Sequence, residues 1–265
     1  MKAKTTITFL FVILIQFFQA QIDDKFYQPK KELQPIELKH ENISIPVDKD
    51  TITAIFLKPN IAKPKATILF FHGAGGNVST YAFMVKPLVE AGFQVAMVDF
   101  RGYGKSTGIP THINVAADGQ KFFDLMSQRE DVKNTKLVVY GASLGSQISA
   151  RLAKNNKTKI SGLVIDGGMS SFADIAAVFA PQFKDALTKM LASVYSAKED
   201  IKSTEGISKL FIYSKNDKTV PYSHGEELFK NAPEPKQFFE FSQDHLLAMK
   251  EKPEDLVKAV ESLIK

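Results

Sequence analysis

The pentapeptide Gly141-Ala142-Ser143-Leu144-Gly145 follows the apolar run "KLVVY" and precedes the helix-spaced "SQISARLAKN". Strand, sharp turn and helix form the setting in which a G-x-S-x-G serine becomes a nucleophile. The turn exposes the hydroxyl on strained backbone, and bulk two residues to either side would strike the neighbouring strand and helix. A plain strand-to-helix turn would use the same residues, so the other strand ends must decide between the two. After "ATILFF" comes His72-Gly73-Ala74-Gly75-Gly76-Asn77. Glycines there free backbone N–H groups to cradle an anion. An acyl-transfer site needs two such donors aimed at the developing oxyanion. The Ala74 and Leu144 amides are the candidates, with Gly75 replacing Ala74 if the loop is shifted. The alternative is a phosphate loop, but the G-K-[ST] ending and the dinucleotide spacing are both missing.

Two further strand ends supply an acid and a base. "KLFIY" is followed by "SKNDKTVP", where Asp217 can orient an imidazole or simply cap the next helix. "QFFEF" is followed by "SQDH", which ends in His245. Of the five histidines, at 40, 72, 112, 224 and 245, only His245 lies between the last strand and the last helix. His72 precedes its turn and reads as a loop-shaping residue. His224 falls inside the helix after Asp217, where a solvated role is expected. Asp244, beside His245, is a second acid that could serve the base. The chain order Ser143, Asp217, His245 is that of one particular triad architecture.

These residues need a frame that gathers strand ends. Apolar runs at "ATILFF", "QVAMVDF", "KLVVYG", "GLVIDG", "KLFIYS" and "QFFEFS" alternate with helical spacing over 79–91, 112–129, 144–154, 221–231 and 246–263. This alternation predicts a parallel sheet covered on both faces, with ligands beyond the carboxyl ends of the strands. "NISIPV" and "TITAIFL" flank "DKD" as a hairpin. Residues 21–42, with prolines at 29 and 35, read as an extended lead-in to a domain over 43–265. The segment 170–205 is too long for a crossover and predicts a small helical cap. Ser170 or Ser171 starts its first helix, and Pro181 opens a second. Phe183, Leu187, Met190, Leu191 and Val194 then recur at helical spacing. Either this stripe packs onto the sheet, or Phe183 and Met190 line a substrate pocket.

A chain of 265 residues with 44% hydrophobic content suits one moderate domain or a compact pair. The net charge of +5 and pI near 9.1 come from scattered lysines; without a basic patch they predict no nucleic-acid partner. The absence of cysteine excludes disulfides, Cys-ligated zinc and a thiol nucleophile. At the start, Lys2 and Lys4 precede an apolar run from Ile7 to Phe18 and then Ala20, the order of a secretory leader over 1–20. The run is short for a bilayer span. The expectation is a secreted or periplasmic mature chain without a stable membrane span; an uncleaved anchor is the alternative.

With "HGAGGN", "DFRGYGKSTG", "GASLGS", "NDKTVP" and "DHL" together, residues 43–265 resemble the α/β-hydrolase superfamily. Within it the chain is similar to the Bem46-like and serine-aminopeptidase-like lid group. The resemblance implies an α/β-hydrolase fold: a mostly parallel eight-stranded sheet, helices on both faces and a small helical cap insertion. It implies a triad of Ser143, Asp217 and His245, with a chiefly structural role for Asp99 and Arg101. The expected activity is hydrolysis of a small-molecule carboxylic ester through an acyl-enzyme, with no cofactor and no metal. A peptidase or amidase on the same triad, or a non-catalytic binding relative, are the alternatives.

Overall fold

The computed structural model describes residues 25–191 and 195–265. The expected leader over 1–20 and Val194 of the cap stripe lie outside the described residues. Eight strands form the main sheet: β1 (His40–Val47), β2 (Asp50–Leu57), β3 (Thr67–Phe71), β4 (Gln94–Asp99), β5 (Leu137–Ala142), β6 (Ile160–Asp166), β7 (Ser208–Ser214) and β8 (Lys236–Phe241). Their spatial order is β8-β7-β6-β5-β3-β4-β2-β1. β2 runs antiparallel to both β1 and β4, and the pairs from β4 through β8 are parallel.

The helices are α1 (Ala82–Glu90), α2 (His112–Gln128), α3 (Gly145–Asn155), α4 (Phe172–Phe179), α5 (Lys184–Met190), α6 (Ala197–Asp200), α7 (Tyr222–Asn231), α8 (Ala248–Glu251) and α9 (Pro253–Ser262). The central strands are apolar throughout because both of their faces are covered. On β3, Leu69 and Phe71 join the core under α2 and α3, while Ile68 and Phe70 join the core under α1, α8 and α9. The loops that carry Ser143, Asp217 and His245 all leave the sheet at its carboxyl edge, after β5, β7 and β8.

The expected final helix over 246–263 is two helices. Pro253 has no N–H to donate and disfavours helical backbone at the residue before it. Lys252 accordingly sits at φ −136° and α9 starts with proline in its first turn. The lead-in is fastened to the domain. Gln28–Pro29 pair in parallel with Gly75–Gly76, and the Asn77 side chain donates to the carbonyls of Lys30 and Glu32. The "DFRGYGKSTG" loop carries structural bonds. Arg101 forks onto both oxygens of buried Asp118 and reaches Asp48 and Asp50 of the β1–β2 turn. Asp99 accepts the Val78 amide.

The insertion after β6 forms the cap. Ser171 caps α4 by accepting the Asp174 amide, and Pro181 opens a 3-10 turn (Pro181–Phe183) that leads into α5. The neck of the cap is cinched. Lys198 N donates to Ser170 O, and the buried Gln147 of α3 donates to Met169 O and accepts from Ala197 N.

Candidate active site

Ser143 stands between β5 and α3 at φ +51°, a left-handed value for a residue that is not glycine. Such backbone costs on the order of 1–3 kcal/mol and persists only where its surroundings impose it. The flanking glycines are part of those surroundings. A side chain at Gly141 would run into Ser149 and the backbone of Ser146, and one at Gly145 would run into the carbonyls of Phe71 and His72. The Ser143 amide donates to the Asp166 carbonyl at 2.8 Å, which ties the bend to β6. The serine remains partly exposed.

The Gly-rich loop lies beside it, with Gly73 close to the Ser143 side chain. Its carbonyls are held from the far side. His72 Nδ1 donates to Gly73 O at 2.7 Å, and both Gln28 N and the Tyr103 hydroxyl donate to Ala74 O. A fixed carbonyl turns the amide of the same peptide plane the opposite way, so the Ala74 N–H is oriented by His72. Among the described residues neither the Ala74 nor the Leu144 amide is engaged in a hydrogen bond. His72 is the loop-shaping residue expected. It is wholly buried among Tyr81, Phe100 and Tyr103, and its Nε2 accepts the Phe100 amide. Burial lowers it to about 4, so it is neutral near pH 7.

Asp217 and His245 meet above the sheet. Asp217 Oδ2 lies 2.6 Å from His245 Nδ1, with side chains 1% and 15% exposed. Asp217 Oδ1 accepts the amides of Thr219 and Val220, each at 2.8 Å. Asp217 therefore meets the imidazole with one oxygen and caps its turn with the other. With Nδ1 engaged, Nε2 is the nitrogen left for proton transfer. Asp244 does something different: its Oδ1 accepts the backbone amides of His245 and Lys218, clamping the two loops together from an exposed position. Those amides hold its carboxyl below the usual range. The His245 ring lies across the end of β6, where Gly167 leaves room for it. A Cβ on Gly167 would sit 2.8 Å from Cε1 and 3.0 Å from Nδ1. β6 lies between the strand that precedes Ser143 and the strand that precedes Asp217, so the imidazole sits at the sheet position between those two strand ends.

His224 departs from expectation. It is 5% exposed rather than solvated. Its Nδ1 accepts the Ser170 amide at 3.1 Å and lies 2.9 Å from the Ser170 hydroxyl. The inward face of α7 abuts the neck of the cap, and burial lowers the proton affinity of the ring. Phe183 and Met190 are 57% and 46% exposed. Of their stripe, Leu191 is buried with Phe172 in the core. Gln147 and Asp166 did not stand out in the sequence. A glutamine after the elbow carries no signal until the cap is known to return beside it, and an aspartate ending a strand looks like a solvated turn residue.

A doubly covered, mostly parallel sheet with its strained serine after β5 and an Asp–His pair contributed after β7 and β8 defines an α/β-hydrolase. The chain belongs to the family described as serine aminopeptidase, S33, whose model matches residues 62–205. It is 30% identical to YfhR of Escherichia coli strain K12 over 230 residues, covering 85% of this chain and 77% of that one. To protein bem46 of Schizosaccharomyces pombe it is 26% identical over 187 residues, 69% of this chain and 62% of the relative. Among solved structures, an esterase of Pyrococcus furiosus superposes with TM-score 0.72 at 16% identity, covering 90% of this chain and 97% of the other. Acetyl xylan esterase 1 from Thermoanaerobacterium superposes with TM-score 0.67 at 18% identity, covering 94% and 92%. Both neighbours share the fold. No helix among the described residues is long and apolar enough to cross a membrane.

Proposed function

We propose that the protein hydrolyses small carboxylic esters with Ser143 as nucleophile. The observation that carries this reading is the Asp217–His245 pair at 2.6 Å, set on the same sheet edge as a serine at φ +51°. His245 Nε2 takes the Ser143 proton as the oxygen attacks the ester carbonyl, and Asp217 stabilises the imidazolium that forms. The Ala74 and Leu144 amides receive the oxyanion. Collapse expels the alcohol, which takes the proton back from His245. Water, deprotonated in turn by His245, attacks the acyl-enzyme, and the proton passes from His245 to the Ser143 oxygen as the acid leaves. The esterase names of the structural neighbours support an ester substrate. The family description favours a second reading, cleavage of an aminoacyl amide on the same groups.

Turnover of p-nitrophenyl esters against aminoacyl anilides separates the two, with Ser143→Ala as control. A fluorophosphonate should label Ser143. An unlabelled protein that turns over neither substrate would instead be a binding relative. On this reading Phe183 and Met190 select acyl length, and Met190→Ala, Met190→Phe and Phe183→Ala should change the order of preference from acetyl to octanoyl esters. A parent-like profile in all three removes them from the substrate site. We further propose export with loss of residues 1–20. Intact mass of the protein recovered from the periplasm or medium tests this, and a mass that retains Met1 refutes it.

A further inference from the structure

Asp166 ends β6, between the strand that carries Ser143 and the strand that carries Asp217. Its side chain is completely buried. Side chains alternate along a strand, so Asp166 shares the face of Val164. Leu246 of the histidine loop packs into the core on that face. The Tyr140 hydroxyl donates to Asp166 Oδ2 at 2.6 Å. Oδ1 is buried and has no hydrogen-bond partner among the described residues. One residue on, Gly167 lies against the Nδ1 and Cε1 edge of His245, and the Asp166 carbonyl holds the Ser143 amide. A buried, half-satisfied carboxyl group is costly. Tyr140 alone does not account for it, because an amide would accept that hydroxyl equally well.

We propose that Asp166 is a positioning residue of the hydrolytic site, a second carboxyl group that governs how the His245–Asp217 pair takes up a proton. This rests on the triad reading above. The ionisable groups acting on Asp166 or beside it are Tyr140 on β5, Tyr213 on β7, Asp217 after β7 and His245 after β8. Burial pushes its carboxyl up to about 7, with the Tyr140 hydrogen bond and His245 pulling down and Asp217 pushing up. Both tyrosines are held well above their ordinary range, chiefly by burial, and stay neutral. Asp166 therefore changes charge within the working range of a histidine base. Ionised, it adds a negative charge beside the imidazolium formed when His245 accepts the Ser143 proton. Protonated, it withdraws that charge.

An anionic neighbour favours protonated histidine, so it moves the acid limb of the rate profile up and stabilises the imidazolium-like transition state. Asp166→Asn keeps the shape and an acceptor for Tyr140 but cannot ionise. The experiment is kcat/KM for p-nitrophenyl acetate from about pH 5 to 9, read at the isosbestic wavelength, with wild type, Asp166→Asn and Tyr140→Phe. In Asp166→Asn the acid limb should lie about one pH unit lower and the alkaline plateau several-fold lower. Tyr140→Phe keeps the carboxyl but removes the hydrogen bond that favours its anion, and should move the limb the same way by less. Thermal unfolding identifies folded variants. If Asp166→Asn does not fold, Tyr140→Phe decides alone. A folded variant whose profile superimposes on wild type overturns the proposal, provided the fluorophosphonate labels Ser143 and nothing else. Failure of the triad reading has a different signature, labelling that survives Ser143→Ala.

Discussion

Replacing Asp217 by asparagine separates the two tasks its oxygens perform. One oxygen accepts the Thr219 and Val220 amides, and an asparagine carbonyl can accept them as well, so the turn should hold. The other oxygen faces His245 Nδ1 at 2.6 Å, where asparagine brings no charge and can present N–H to a nitrogen that should itself be a donor. The imidazole then loses both its tautomer and its counter-ion. Comparable losses elsewhere reach about 10⁴-fold in kcat, or about 5 kcal/mol of transition-state stabilisation. Asp217→Ala should be no more active and should also destabilise by about 1–3 kcal/mol, since two amides lose their acceptor. Asp244→Asn is the comparison. Its carboxyl is exposed and accepts only backbone amides, an arrangement an amide oxygen reproduces, so activity should stay within about threefold. The assay is kcat/KM on one ester together with Tm for all three variants. A loss in Asp244→Asn equal to that in Asp217→Asn would refute the assignment of the acid. A near-native rate in Asp217→Asn would refute the mechanism.

Ser143→Gly should abolish turnover and phosphonate labelling while raising stability by about 1 kcal/mol, because glycine accepts φ +51° without strain; a fall in Tm would count against a strained elbow. Burial pushes the Asp99 carboxyl from an ordinary value near 3.8 up to about 7. Between those values the folded protein holds a proton that the unfolded chain releases, so this contribution is full below pH 4 and is lost as pH rises through 7. The stability of Asp99→Asn relative to wild type should therefore climb by up to a few kcal/mol between about pH 4 and 7 and level off above; a pH-independent difference refutes this. His224→Ala leaves the Ser170 amide without its acceptor and should cost about 1–3 kcal/mol and speed hydrogen exchange at the cap neck. His224→Asn, which keeps an acceptor, should recover much of both, and equal exchange in the two variants would show that the bond does not hold the neck.

Strand and helix order was legible in the residues because doubly covered strands are apolar at every position and helices repeat at their own period. The strained bend at Ser143 was legible for a similar reason: its glycines answer to clashes within a few residues, with the Ser146 backbone and the Ser149 side chain, and across one neighbouring strand with the Phe71 backbone. Ser143, Asp217 and His245 drew notice because each lies within four residues of the end of an apolar run. What remained open depended on which distant faces meet. Asp217 and Asp244 flank the same histidine, and only the fold shows that one meets the imidazole and the other clamps two backbones. His224 looked solvated because the partner that buries it, Ser170, is 54 residues away. Gln147 and Asp166 are ordinary letters until the cap returns beside α3 and the histidine loop crosses β6. Local sterics and periodicity are written in neighbouring residues. Burial, tautomer and charge state are set by contacts across the sheet, and these exist only once the chain has folded.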